Sequence, residues 1–570
     1  MKTNFLKNIL AIGVILFAQG TIIFAQNCVE PSSSDWKMRK IVGGLKHATN
    51  MDILPDGRVF FSEMWTGGVQ LYTPGQGLKK LGQIEVYTRK MENGFLGVIA
   101  DLNYDQTKWI YALYSRALAD TAKYKAGDKD ITPHEQVLVR YTIANDTLTN
   151  EKELLIIPRY TIRHAAGGLE FNPLTGNLYI TTGDDSYPGS TQSKYGPRSV
   201  KDKHSDGLRT SGNTNDVRGK VLRIKPIPFP DTQTPVLGVG TTYEIPSDNL
   251  FPVGMAKTRP EIYTMGHRNP YHFKIDPISR WGIIGEVGPD GGNDDPKRGI
   301  RGHDEYNLVT GAGNYGWPFF TADSSYIAIT DDPYSVGQVF DKNNLQNLSV
   351  RNTGLKNLPP VIDPIAWYTK GGGQTGALNG IFNRIKDGES AMAGPMYRYD
   401  ASLNSTVKFP PYYHGKFIVG EYVRSRLFTF ELNAEKKMQK IDSLRSGIRN
   451  IDLDFGPKGE LYILSYGSNG SLNALEYTGK QYSLSECSSF VPPKFVPSSI
   501  AKKGMTKSNL TKLYVQLGNQ SISLPKGVKQ VKAYNLKGEE VYLSGNVSNQ
   551  NKMRLPKNIK GMVYLKFIKK

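Results

Sequence analysis

A short β cassette recurs six times along this chain, tens of residues apart, and this repetition restricts the possible architectures more than any other feature. The clearest copies are Asp52–Met64 (DILPDGRVFFSEM), Leu169–Asp184 (LEFNPLTGNLYITTGD), Phe273–Gly288 (FKIDPISRWGIIGEVG) and Leu453–Ser468 (LDFGPKGELYILSYGS). Ala100–Ser115 and Tyr412–Tyr422 are weaker copies that fill the gaps. Each reads as a short alternating strand, a turn built from Pro, Gly, Asn or Asp, and a β-branched and aromatic strand ending on Gly or an acid. Gly and Pro supply the angles of a tight turn, and apolar residues on both sides bury both faces of the sheet. Six such units predict an all-β fold, a six-bladed β-propeller. A β-sandwich is the alternative, but it has no reason to repeat one cassette so often. The 59 glycines and 33 prolines supply many turns, and no long stretch carries a helical apolar period.

The ends of the chain read differently. Lys2 and Lys7 precede the apolar run Ile9–Phe24, and Ala25 offers a small residue for cleavage, so residues 1–25 read as a signal peptide. The propeller is expected over 41–480, a Ser-, Pro- and Lys-rich linker over 488–508, and a small C-terminal β-sandwich over 509–570. The net charge of +19 lies mostly in the end of the linker and that last domain: residues 501–570 hold 15 Lys and Arg against Glu539 and Glu540. A basic tail attracts polyanions, but this one lacks the aromatic interleaving of a nucleic-acid reader, and no nucleic-acid partner is expected. Cys28 and Cys487, the only cysteines, flank the six cassettes. In an exported protein such a pair is expected to form a disulfide joining the ends of the array, with two free thiols as the alternative.

Polar residues with chemical potential collect at the cassette ends and in the loops. His164 and Asp184 flank one complete hairpin, so both can return to one rim, where a carboxylate on one imidazole nitrogen leaves the other as a base. Gly266-His267-Arg268-Asn269-Pro270 presents a guanidinium and an amide on a rigid turn suited to an anionic or quinonoid ligand. Gly285–Asp290 and the acidic run to Asp295 offer carbonyls and carboxylates for a hard cation such as calcium. Arg424 and Arg426 place two guanidiniums on one side of an extended segment.

Together these motifs resemble the soluble sugar dehydrogenases that depend on pyrroloquinoline quinone (PQQ), the glucose/sorbosone dehydrogenase family. Further markers are Glu92–Gly97, Gly167-Gly168, Thr182–Asp184, Gly219–Ile224 and Gly313–Pro318. The resemblance implies His164 as general base, Asp184 as its orienting carboxylate and Arg268 as the stabiliser of charge on the quinone. It implies Asn269, Glu92, Arg398, Arg424 and Arg426 as cofactor-binding residues, and Gly288 and Pro289 as carbonyl ligands of calcium. The expected activity is oxidation of an aldose or related sugar hydroxyl, with an electron acceptor that stays open. Two positions depart from the glucose-specific members: Glu92 replaces Gln, which puts a carboxylate unfavourably near the anionic cofactor, and Arg398 stands about where those members have Lys. Extra material at Tyr187–Asn215 and Gly371–Glu389 is expected to reshape the rim. A cofactor-free carbohydrate- or protein-binding propeller is the alternative. The last fifty or so residues, with Ala533–Gly538 and Gly561–Lys566, resemble the C-terminal sorting domains of the type IX secretion route. That implies contact with the secretion machinery and a secreted or cell-surface location.

Overall fold

The computed structural model describes residues 28–118, 123–126, 129–186, 194–196, 206–327, 338–369, 390–487 and 490–495, together with residue 550 and six strands within 512–569. Residues 1–25, most of 488–508, much of 187–215 and all of 371–389 lie outside the described residues. The chain divides into two compact units, Met1–Phe495 and Val496–Lys570.

The first unit is a six-bladed β-propeller. Blade one runs through Ala48–Ile53, Val59–Glu63, Gly68–Thr73 and Gly77–Gln83, and blade two through Phe95–Ala100, Trp109–Ala117, His134–Ala144 and Thr147–Arg159. Blade three comprises Ala166–Asn172, Asn177–Thr182, Lys220–Pro226 and Ile262–Met265, with Gly313–Asn314 added in parallel at its edge. Blade four holds Pro270–Ile275, Gly282–Glu286, His303–Val309 and Ala366–Thr369. Blade five holds Ala391–Met392, Phe417–Glu421, Arg426–Leu432 and Met438–Ser446. Blade six takes Asp452–Phe455, Leu461–Ser465 and Gly470–Tyr477 from the end of the repeat, and its outer strand Trp36–Leu45 from the beginning. Trp36 pairs with Tyr477 and Leu45 with Gly470, so the ring closes by hydrogen bonds between its two ends.

The cassettes are the two innermost strands of the blades, with one correction. Tyr412–Tyr422 contains only the second strand of blade five; the inner strand is the short Ala391–Met392, well upstream. The cores lie between blades, as alternation on both faces requires. Leu113, Leu138 and Leu155 of blade two meet Leu169, Ile180 and Leu222 of blade three, and Ile283 and Tyr306 of blade four meet Phe417 and Phe428 of blade five. Truncating a fully buried ring such as Phe417 to Ala costs about 3–5 kcal/mol.

This topology sorts the loops. First strands begin, and second strands hand over to third strands, at one end of the blades, here the upper rim. Turns between first and second strands lie on the lower rim. Acidic residues closing three cassettes have a structural duty on the upper rim. Glu63 accepts from Lys46 N (2.9 Å), Glu286 from Arg268 N and Asn269 N (2.8 and 2.6 Å), and Glu421 from Ser390 N (3.1 Å). Each carboxylate thereby staples the chain entering its own blade.

A disulfide joins Cys28 to Cys487, with a Cα–Cα distance of 4.9 Å across 459 residues. In the second unit, Lys512–Gln516, Met562–Lys569, Val528–Tyr534 and Glu540–Leu543 form one antiparallel sheet in that order, and Ser521–Ser523 pairs with Lys552–Arg554. No helix among the described residues is long and apolar enough to cross a membrane.

Candidate active site

His164 stands two residues before the inner strand of blade three, and Asp184 follows its second strand, so the hairpin returns both to the upper rim. His164 Nδ1 lies 2.7 Å from Asp184 Oδ1, and both side chains are buried. The other Asp184 oxygen accepts from Trp317 Nε1 (2.8 Å) and Ser186 Oγ (2.9 Å), while Oδ1 also accepts from Ser186 N (2.9 Å). Burial works to raise the Asp184 carboxyl, but the His164 charge and hydrogen bond, Arg268 and the Ser186 N–H hold it below the usual carboxylate range. A carboxylate so fixed accepts a hydrogen bond from Nδ1–H and leaves His164 Nε2 as the basic nitrogen, with no protein partner among the described residues.

The backbone of this loop is constrained. His164 (φ +46°), Ala166 (φ +51°) and Asp185 (φ +57°) adopt left-handed angles that side chains other than glycine rarely take. A Cβ on Gly183 would stand 1.8 Å from the His164 carbonyl oxygen, so only glycine lets the two chains approach. Buried ions supply the clamp. Arg159 donates from Nη1 to the His164 carbonyl (3.0 Å) and from Nη2 to the Arg163 carbonyl. Asp185 accepts from Tyr160 N (2.8 Å), Thr161 N (2.9 Å) and Arg218 Nη1 (2.8 Å), and lies 3.4 Å from Arg159. Burial would raise the Asp185 carboxyl, and the Arg159, Arg218 and Arg209 charges outweigh it and lower it.

Glu92 ties three elements together. Its Oε2 accepts from His164 N (2.8 Å) and Asn269 Nδ2 (3.2 Å), and its Oε1 pairs with Arg163 (3.2 Å). The carboxylate expected to sit awkwardly beside an anionic cofactor is thus compensated by a guanidinium and orients the loop bearing His164. Asn269 returns the link, its Oδ1 accepting from Ala166 N (3.1 Å). Arg268 is joined to Asp184 through its carbonyl (2.7 Å), and its Nη1 donates to the Val287 carbonyl (3.0 Å). Its Nε is buried and has no partner among the described residues.

Gly288 and Pro289 follow the second strand of blade four on the same rim, and both are buried. Gly288 N donates to Asp304 Oδ1 (2.9 Å), and a Cβ there would meet the His303 carbonyl at 1.7 Å. Among the described residues, no N–H or O–H donates to the Gly288 or Pro289 carbonyl, so this donor set fits a hard cation. The acidic run beyond does not converge there: Asp294 pairs with Arg301 (3.0 Å) and Asp295 with Arg298 (3.8 Å). Glu286 is engaged by the Arg268–Asn269 turn and by His267 (2.9 Å), and burial pushes it up to about 8. Arg424 and Arg426 occupy the upper-rim turn of blade five, where the Arg424 guanidinium lies 5.1 Å from the centre of the Tyr368 ring.

One expected cofactor residue is elsewhere. Arg398 follows the inner strand of blade five, so it stands on the lower rim. There its Nε donates to Asp276 Oδ1 (3.0 Å) and its Nη2 to the Pro492 carbonyl (3.0 Å). Asp276 follows the last residue of Pro270–Ile275, whereas Arg268 and Asn269 precede the first; six residues of strand, about 20 Å, separate the two ends. The cofactor role expected of Arg398 is therefore corrected to a structural ion pair. Conversely, Trp317, Ser186, Arg159, Arg163 and Asp185 belong to the site without having been assigned roles in it. Trp317 lay within the Gly313–Pro318 motif, whereas nothing in the sequence marks Arg159.

The glucose/sorbosone dehydrogenase family matches residues 45–338. Quinoprotein glucose dehydrogenase B of Acinetobacter calcoaceticus is 28% identical over 272 residues, which cover 46% of this chain and 48% of that protein; the chain thus spans about half the length of that relative. The aldose sugar dehydrogenase YliI of Escherichia coli is 23% identical over 435 residues, 75% of this chain and 89% of the relative. Among solved structures, a glucose dehydrogenase aligns with a TM-score of 0.51 at 20% identity over 78% of this chain and 100% of its own. The apo form of the soluble aldose sugar dehydrogenase from Escherichia coli aligns with a TM-score of 0.50 at 18% identity, over 78% of this chain and 99% of its own. These structural likenesses concern the fold.

Proposed function

Because the chain belongs to the glucose/sorbosone dehydrogenase family, we propose that it is an exported quinoprotein that oxidises a sugar hydroxyl, with PQQ and calcium as cofactors. The observation that carries this reading is the His164–Asp184 pair at 2.7 Å, locked by Trp317 and Ser186, with the Arg268 charge acting on Asp184 and its buried Nε lacking a partner among the described residues. A site that only binds sugar needs no fixed tautomer and no basic nitrogen left without a partner among the described residues.

PQQ would supply a two-electron sink that accepts hydride from the sugar carbon. Arg268, Asn269, Arg424 and Arg426 are the groups that would hold it, and the carbonyls of Gly288 and Pro289 would hold calcium. His164 Nε2 takes the proton of the sugar hydroxyl as its carbon–hydrogen bond breaks, and Asp184 stabilises the imidazolium that forms. Arg159 and Glu92 keep the loop in register, and the Nε of Arg268, without a partner among the described residues, is available to an anionic ligand oxygen. Export follows from the signal segment, and the C-terminal unit serves the type IX sorting step.

The decisive experiment is reconstitution with PQQ and calcium, followed by dye-coupled oxidation of a panel of aldoses. Loading and turnover are expected. A protein that takes up no PQQ at micromolar concentrations with calcium present is instead a binding propeller.

A further inference from the structure

The upper rim carries a second feature that the proposed chemistry does not use. His47 immediately precedes the inner strand of blade one, and Trp65 follows its second strand; Tyr466 and Tyr422 follow the second strands of blades six and five. The topology that puts Asp184 on this rim puts these rings there too. They form a connected file: Tyr422 to Tyr466 at 6.1 Å between ring centres, Tyr466 to His47 at 5.2 Å, and His47 to Trp65 at 4.0 Å. All four are half-buried, neither taken into the core nor fully exposed.

The file runs into the catalytic centre. Trp65 packs on Met64, Leu96 and Ala165, the residue directly after His164, and its Nε1 donates to the carbonyl of Met91, beside Glu92 (3.1 Å). At the other end Tyr271, two residues beyond Asn269, shares a hydrophobic cluster with Tyr422 and Tyr466. Burial first, and then neighbouring Tyr466, Glu92 and Tyr422, push the Tyr271 phenol well up. Among the described residues nothing accepts from the Tyr271 hydroxyl, and the Tyr466 hydroxyl meets only the Met64 sulfur at 3.9 Å. The Arg449 guanidinium stands 5.8 Å over the Tyr422 ring.

We propose that this aromatic file is a saccharide platform that extends the site, and that the preferred substrate is an oligosaccharide rather than a single sugar. Sugar rings present C–H patches on their faces and hydroxyls at their edges. Half-buried aromatic side chains with polar tips match both, and aromatic linings with a few polar groups mark small-molecule sites. Taken end to end, the centre-to-centre steps from Tyr422 to Trp65 exceed the width of one pyranose ring, so more than one sugar unit can lie against the file. A sugar chain with its oxidisable end at His164 covers it. This inference rests on the sugar-oxidising reading of the His164 centre.

The test uses the full chain without cofactor first. Glucose, cellopentaose and maltopentaose are titrated by calorimetry into the wild type, Trp65→Ala and Trp65→Phe. At least one pentasaccharide is expected to bind at least tenfold more tightly than glucose. Trp65→Ala should lose that gain, and Trp65→Phe, which keeps a ring, should retain part of it even if both variants melt slightly earlier. Equal affinity for glucose and both pentasaccharides, or a Trp65→Ala variant as tight as wild type, overturns the proposal. The PQQ- and calcium-loaded protein is then assayed with the same sugars. Trp65-dependent pentasaccharide binding without turnover leaves the platform standing and removes the dehydrogenase reading. Turnover of glucose with no preference for either pentasaccharide does the reverse.

Discussion

Replacing Asp184 by Asn tests the chemistry at its most constrained point. The Asp184 carboxylate faces four donors: His164 Nδ1 at 2.7 Å, Ser186 N and Oγ at 2.9 Å each, and Trp317 Nε1 at 2.8 Å. An amide has one acceptor oxygen, so it cannot satisfy both sides. If its nitrogen faces His164, the imidazole must turn its lone pair inward at Nδ1 and carry the proton on Nε2, and the base is lost. If its nitrogen faces Trp317, two N–H groups oppose each other and the indole donor is stranded. Either arrangement removes charge-assisted hydrogen bonds, at about 1.5–3 kcal/mol. Turnover should fall about 10²–10⁴-fold, the contribution of a positioned general base, while KM and PQQ affinity stay within about threefold. The pH dependence has a definite sign. The folded-state pKa of Asp184 is depressed, so its stabilising contribution is complete above the unfolded carboxylate value of about 3.9 and is lost as pH falls through the folded value. The stability gap between wild type and variant should therefore be flat near neutrality and close in acid. Dye-coupled kinetics at saturating PQQ and calcium measure the rate, and ¹⁵N-histidine NMR of the unloaded protein reads the tautomer. A variant that turns over at close to the wild-type rate, or loses PQQ affinity in step with turnover, refutes the assignment.

Arg398→Ala should leave PQQ affinity unchanged and cost about 3 kcal/mol by stranding Asp276, which is 1% exposed. Burial raises the Asp276 carboxyl and Arg398 and Ser279 more than offset it. The pair's stabilisation is therefore in place above the unfolded carboxylate pKa and lost in acid, and urea melts at pH 7 and pH 3 check this. Arg159→Ala should lower kcat about 10–100-fold at nearly constant KM by releasing the His164 and Arg163 carbonyls, with partial recovery in Arg159→Lys; equal loss in both variants would contradict a positioning role. Cys28→Ser should cost about 2–5 kcal/mol, seen as a lower melting temperature that reductant does not change further, while wild type shifts on reduction.

The cassettes announced the propeller because two adjacent strands and a tight turn are local, and their signature survives in short stretches. The closure of blade six was not legible, since Trp36–Leu45 pairs with residues more than 400 positions away and nothing local names its partner. Blade five was half legible because its inner strand is only Ala391–Met392, too short to alternate. The site followed the same division. His164 and Asp184 could be paired because one hairpin joins them. Arg398 was misplaced because similarity in residue type does not say at which end of a strand a residue stands. Glu92 looked like a liability because Arg163 and the His164 N–H, which compensate it, appear only in three dimensions. Glu63, Glu286 and Glu421 close their cassettes where the loops begin, and what they do there, accepting backbone N–H groups of the chain entering the blade, is visible only in three dimensions.

The pairing of Trp36–Leu45 with Gly470–Tyr477 also sets a clock on folding. During synthesis the first strand of the propeller has no partner until residue 477 has emerged, which at roughly 5–20 residues per second takes on the order of half a minute to a minute and a half. Until then each finished blade can pack only on its predecessor, and the ring stays an open arc with bare edges. A chain that cannot close early remains threadable, which suits the export proposed for it. The Cys28–Cys487 bond, placed just outside the paired ends, can form only after this wait, and it records that the ring has shut.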